Sequence, residues 1–127
     1  MKILMVCAEY APFAKTGGLA DAVTGLSEAL SKRGHDVRVL LPKYAHMSVP
    51  AGALEQRAGA DGRLRIWETA AAAGAPRLYL LDLGELAAAS IYTGDDRDGL
   101  RFLLLAEGAV AFAAAFGWPP DVMHCHD

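Results

Sequence analysis

The segment Glu9-Tyr10-Ala11-Pro12-Phe13-Ala14-Lys15-Thr16-Gly17-Gly18 holds the residue types that an anionic ligand needs. It runs from the end of an apolar stretch, Ile3–Ala8, into a helical pattern that begins at Leu19. A helix N-terminus offers free N–H groups and a partial positive charge, so it receives phosphate well. Two adjacent glycines let the backbone approach a diphosphate closely, and Lys15 adds a full positive charge beside them. The order is not that of a P-loop, which needs Gly-x4-Gly-Lys-Ser/Thr, and Gly-x-Gly-x-x-Gly is absent. Taken alone, the segment reads equally as a glycine turn with a solvated lysine. Asp21 reads either as part of the same site or as a first-turn acid favoured by the helix dipole.

A second group, His124-Cys125-His126-Asp127, has the residue types of a metal site. On a strand, His124 and His126 point to one face and Cys125 and Asp127 to the other. No third ligand stands at a matching spacing, so a metal is not expected. Asp127 is a carboxylate at the carboxyl end of a strand, where α/β sheets bind ligands, or else a solvated, frayed end. Cys7 and Cys125 read as buried apolar thiols, and two cysteines are too few for a disulfide framework. Trp67, Trp118 and the phenylalanines read as core. His35 reads as solvated, and His46 has no identifiable partner.

These groups need elements to hold them. Ile3–Ala8 is a continuous apolar run, the mark of a strand buried on both faces of a parallel sheet. Leu19, Val23, Leu26 and Leu30 recur on one helical face, and Gly34 is placed to end that helix. Val37, Val39 and Leu41 alternate into a second strand, stopped by Pro42. Strand, loop, helix and strand make a βαβ unit with a right-handed crossover. Residues 43–62 read as a long loop or partly mobile insertion. Leu64/Ile66 and Leu78/Leu80 predict a hairpin, and Leu86–Ser90 a helical turn. Asp98–Phe116 predicts a second helix, with Phe102, Leu105, Ala109, Phe112 and Phe116 on one face. Its alanine-filled remainder suggests packing on more than one side. Arg101 is placed to pair with Asp98 or Asp95. Val122–His126 reads as a last strand, expected parallel to and beside the first.

The 127 residues amount to about one domain. Twelve basic and 15 acidic residues give a net charge of −3, which argues against a nucleic-acid binder. The apolar fraction, 54%, excludes disorder. No signal peptide is visible, and Phe102–Trp118 is too short and interrupted for a membrane span. A cytoplasmic location and no membrane partner are expected.

Lys15-Thr16-Gly17-Gly18-Leu19-Ala20-Asp21-Ala22-Val23, preceded by Glu9 and Pro12, resembles the Lys-x-Gly-Gly-Leu signature of bacterial glycogen synthases and plant starch synthases. Gly34-His35-Asp36-Val37 with Leu41-Pro42-Lys43-Tyr44, then Arg101-Phe102, and Pro120 to Asp127 also resemble that family's motifs, in register over nearly the whole chain. The family carries Asp-Asn where this chain has Asp98-Gly99. The resemblance implies a Rossmann-like, doubly wound parallel α/β sheet, part of the N-terminal domain of a two-domain GT-B enzyme. Residues 1–127 would be a truncated piece of that domain, with the C-terminal nucleotide-binding domain absent. It implies transfer of glucose from ADP-glucose to the non-reducing end of an α-1,4-glucan with retention, without cofactor or metal. Carried over, Lys15, Gly17, Gly18, Asp21 and Glu9 would bind substrate, with the two glycine amides on the diphosphate. His126 and Asp127 would stand at the catalytic centre. The fragment alone is expected to be inactive and to self-associate through an exposed sheet edge. The alternative is a small, non-catalytic nucleotide- or anion-binding α/β module.

Overall fold

The computed structural model describes residues 1–127. Six strands form one sheet: β1 (Lys2–Val6), β2 (Asp36–Lys43), β3 (Leu54–Ala58), β4 (Leu64–Glu68), β5 (Arg77–Asp82) and β6 (Val122–Cys125). Two α-helices, α1 (Gly18–Lys32) and α2 (Asp96–Phe116), cover it, and a 3-10 turn spans Gly84–Leu86. The strand order is β3-β4-β5-β2-β1-β6. The sheet is mixed rather than wholly parallel: β5, β2, β1 and β6 run parallel, and β4 is antiparallel to both β3 and β5. The expected placement of β6 is observed, with Val6 opposite Cys125.

Alternation along the strands divides the core between the two helices. Ile3, Met5, Cys7, Val37, Val39 and Leu41 face α1 with Val23. Leu4, Val6, Leu40, Tyr79 and Leu81 face α2 with Leu105, Ala109 and Phe112. At Gly108, α2 comes so near the sheet that an added Cβ would stand 3.3 Å from both Leu81 methyls. Helix α1 ends as expected: Gly34 has φ +86, its N–H bonds Ser31 O, and His35 N–H bonds Leu30 O. That is a Schellman closure, and it needs a left-handed residue at Gly34.

Several expectations change. Pro42 does not stop β2; it lies inside it, opposite Leu81. Leu40 O accepts from Cys7 N–H on the β1 side. Pro42 has the same parity and faces that side after β1 has ended, so its missing N–H breaks no bond within the β1–β2 pairing. Residues 43–62 are not all loop, because β3 lies within them. The helical turn sits at Gly84–Leu86 rather than Leu86–Ser90. In α1 the buried positions are Ala20, Val23 and Ser27, and Leu26 is exposed, so the packed face is rotated from the leucine stripe. Helix α2 packs on one side only: Leu103 is 65% and Val110 78% exposed. It is long and apolar enough to cross a membrane by length and composition, but its Leu105–Phe112 face is seated on the sheet.

Candidate functional site

The loop between β1 and α1 is built by local closure and one distant carboxylate. Tyr10 and Ala14 exchange both backbone hydrogen bonds, at 2.8 and 2.9 Å, which folds the loop into a tight turn. The Tyr10 hydroxyl meets the buried Ser27 hydroxyl at 3.0 Å, and Thr24 Oγ1 accepts the Ala11 N–H at 3.0 Å. Both contacts pin the turn onto α1. Helix α1 has Gly17 at its N-cap, with no side chain of its own to bond the first amides. Glu9 does that work from the end of β1. The residue is 4% exposed, and Oε2 accepts Thr16 N–H at 2.7 Å and Gly17 N–H at 3.0 Å.

Burial pushes the Glu9 carboxyl upward, but the Thr16 and Gly17 N–H groups and the Tyr92 hydroxyl outweigh it and hold it below its ordinary value. The carboxylate is therefore charged at neutral pH, where the helix dipole favours it. Gly17 N–H, one of the amides expected to meet a diphosphate, is bonded to Glu9 in this structure. Gly18 opens the helix, so its N–H and those of the next two residues have no carbonyl of the preceding turn to bond.

Lys15 and Asp21 stand at the mouth of this loop. Lys15 Nζ lies 2.7 Å from each Asp21 carboxylate oxygen, and both side chains are about half exposed. An ammonium paired to one carboxylate thus stands two residues before Gly17, the N-cap of α1.

His126 and Asp127 follow β6 at the same, carboxyl, end of the sheet. His126 N–H bonds Val6 O at 2.8 Å, which sets the two residues beside Cys7 and Ala8, just before Glu9. The His124 and His126 rings share a face and stack at 4.1 Å. Desolvation first, then the His124 charge, push the His126 imidazole below its ordinary value. Its Nε2 is buried without a partner. His126 and Asp127 line a cavity of about 480 Å³ with Val6, Ala8, Phe102 and Cys125. Cys7 is buried, as expected, but Cys125 is exposed; both are free thiols. No three His, Cys, Asp or Glu side chains gather closely enough to hold a metal ion.

The structure adds a residue that no spacing pointed to. Tyr92, from the segment after the 3-10 turn, donates its hydroxyl to Glu9 Oε1 at 3.0 Å across 83 residues of chain. Burial, then the Glu9 carboxylate, push the Tyr92 phenol up to about 12, and the Asp127 charge acts in the same direction. Glu9, Tyr92 and Asp127 therefore share one electrostatic neighbourhood. His46 has partners too: its ring nitrogens meet Ala89 O at 2.8 Å and Phe13 O at 3.1 Å. His35 Nδ1 lies 3.1 Å from the N-terminal amine. Trp118 is core, while Phe13 on the loop is 49% exposed.

Residues 2–127 match the starch synthase catalytic domain family. A glycogen synthase of Trichodesmium erythraeum is 40% identical over the whole of this chain, which covers 28% of that relative. Glycogen synthase 1 of Synechocystis is 35% identical over the whole chain and 27% of its own length. Among solved structures, the catalytic domain of starch synthase IV from Arabidopsis thaliana bound to ADP and acarbose superposes with a TM-score of 0.77. It is 30% identical, over 99% of this chain and 28% of that one. The chain thus spans little more than a quarter of the length of these relatives.

Proposed function

The chain belongs to the starch synthase catalytic domain family, and on that premise we propose that it serves as the front part of the N-terminal domain of a glycogen synthase. The reaction is transfer of glucose from ADP-glucose to the non-reducing end of an α-1,4-glucan with retention. The observation that carries this reading is the loop itself: a Lys15 ammonium shortly before the first amides of α1, at the carboxyl end of β1. The Arabidopsis relative bound to ADP and acarbose supports a nucleotide-sugar donor and a glucan acceptor.

In this reading Lys15 and the Gly18 amide meet the donor diphosphate, and Asp21 stands at the sugar side of the cleft. Gly17 lets the backbone pass close by, with its N–H held by Glu9. Charge grows on the leaving diphosphate as the glycosidic bond breaks, and preorganised positive groups lower that barrier. Retention requires the glucan hydroxyl to attack on the face from which ADP departs. His126 and Asp127, held at the neighbouring strand end, would flank the sugar. A second, C-terminal domain would close the other side of the cleft and exclude water. The enzyme would act in the cytoplasm, without metal or cofactor.

The test is the intact enzyme carrying this chain, supplied with labelled ADP-glucose and glycogen. Label in the polymer supports the reading. ADP binding without transfer would support a non-catalytic nucleotide-binding module instead.

A further inference from the structure

Arg101 is an arginine with no exposed surface, in the first third of α2. Burying a guanidinium is costly unless its donors are bonded. Arg101 Nη1 donates to Ser90 O at 3.1 Å, and Nη2 to Ile91 O at 2.9 Å and to the Asp98 carboxylate, while Nε is buried without a partner. Its plane lies among the rings of Tyr44 and Phe102. All its acceptors belong to one short stretch or to the residue that holds that stretch. Asp98 accepts Thr93 N–H at 3.0 Å, the Thr93 hydroxyl at 2.7 Å and Gly94 N–H at 2.8 Å. The Thr93 amide and hydroxyl, followed by Arg101 and Gly94, hold the Asp98 carboxyl far below its ordinary value. Residues 90, 91, 93 and 94 are thereby fixed on both sides of Tyr92.

Tyr92 is the point of that stretch that reaches the ligand loop. Its hydroxyl ends on Glu9 Oε1, while Glu9 Oε2 holds Thr16 and Gly17. We infer that Arg101, acting through Asp98 and Tyr92, is a positioning residue for the Lys15–Gly18 loop. Arg101 touches no part of the open site. A lysine would keep the charge but lacks the planar fork that serves three acceptors at once. The inference rests on the proposed role of the loop, though its structural half stands without it.

The experiment compares the intact enzyme with Arg101→Lys, Asp98→Asn, Tyr92→Phe and the double variant Arg101→Lys/Tyr92→Phe. Amide hydrogen exchange is followed over the peptide containing Thr16 and Gly17, alongside kinetics with varied ADP-glucose. Protection there reports local opening rather than global stability. Each single variant is expected to exchange about tenfold faster at this peptide and to raise KM for ADP-glucose several-fold. The kcat should stay within about twofold, the pattern of lost uniform binding. The double variant should match Tyr92→Phe alone, because both act on one chain of contacts. Unchanged exchange in a folded Arg101→Lys protein, or additive effects in the double variant, overturns the inference. If Arg101→Lys does not fold, Asp98→Asn carries the test, and failure of both to fold also overturns it. An enzyme inactive on ADP-glucose whose loop still loosens in Arg101→Lys would reject the proposed function and leave the brace standing.

Discussion

Lys15 Nζ is equidistant, at 2.7 Å, from the two carboxylate oxygens of Asp21, six residues ahead on the first turn of α1. The lysine is therefore held at the mouth of the loop in the absence of ligand. In the proposed reading, a diphosphate at the helix amides would draw it out of this pair. Exposed pairs of this kind are worth only about 0–1 kcal/mol, so the exchange is easy. Asp21→Asn is expected to tighten ADP binding by up to about fivefold, read by calorimetry on the intact enzyme. Weaker ADP binding would show that Asp21 orients Lys15 rather than competing for it.

Lys15→Ala should remove a charge-assisted hydrogen bond to the donor, at about 1.5–3 kcal/mol. The kcat/KM for ADP-glucose should fall roughly ten- to a hundredfold. Steady-state kinetics with varied donor measure it, and an unchanged value would place Lys15 outside the site.

The Glu9 anchor has a pH window set by its two ends. Glu9 sits below its ordinary 4.5 in the folded chain, so its contribution is full above that value and lost as pH falls through the lower folded value. Tyr92 is raised from 10 to about 12, so its contribution is full below 10 and lost as pH rises toward 12. The Tm difference between the parent and Glu9→Gln should be constant across neutral pH and shrink in acid below about 4.5. A difference that does not change with pH in acid would mean that Glu9 acts by shape rather than by charge.

Gly108 is the point of nearest approach between α2 and the sheet. A valine there would push into the two Leu81 methyls and toward Leu40. Overpacking of this kind costs about 1–3 kcal/mol, against a gain in helix propensity below ~1 kcal/mol. Thermal unfolding should show Gly108→Val to be the less stable protein. Equal stability would show that Leu81 has room to withdraw.

All four residues of β6 are exposed, and α2 leaves Val110 uncovered near Met123. An unpaired edge with an apolar face is a template for another chain. The 127-residue chain is expected to self-associate, with its weight-average mass rising with concentration in sedimentation equilibrium. A Met123→Lys variant, on the edge, should remain monomeric. A parent chain that stays monomeric at all concentrations would remove the edge as an association surface.

Much of this molecule is legible in its residues, and the unreadable parts share a cause. The strands β1, β2, β4, β5 and β6, the β4–β5 hairpin and both helices follow from local apolar patterning. Strand β3 does not, because Leu54-Glu55-Gln56-Arg57 is exposed throughout and owes its form to pairing with β4. The face of α1 was misdirected by Leu26, since Ser27 replaces a leucine by bonding Tyr10 within the core. Glu9, Lys15, Gly17, Gly18 and Asp21 lie within thirteen consecutive residues, so their nearness is local. Tyr92 reaches Glu9 across 83 residues, and no periodicity encodes such a meeting. His126 and Asp127 were placed by topology: a parallel neighbour of β1 must end beside it.

The position of β1 between β2 and β6 also has a consequence in time. β1 precedes the other strands of this sheet in the chain, and β2 can pair with it soon after α1 is made. Its other flank belongs to Val122–Cys125, and the bonds that tie Lys2 to Asp121 form only once that far segment exists. At the usual ~5–20 residues per second of synthesis, that flank waits on the order of ten seconds. During translation the most deeply buried strand of the finished sheet is an open edge, so premature pairing with a neighbouring nascent chain is most dangerous before Val122 emerges. Slowed elongation through α2 would lengthen that exposure, whereas faster elongation would shorten it.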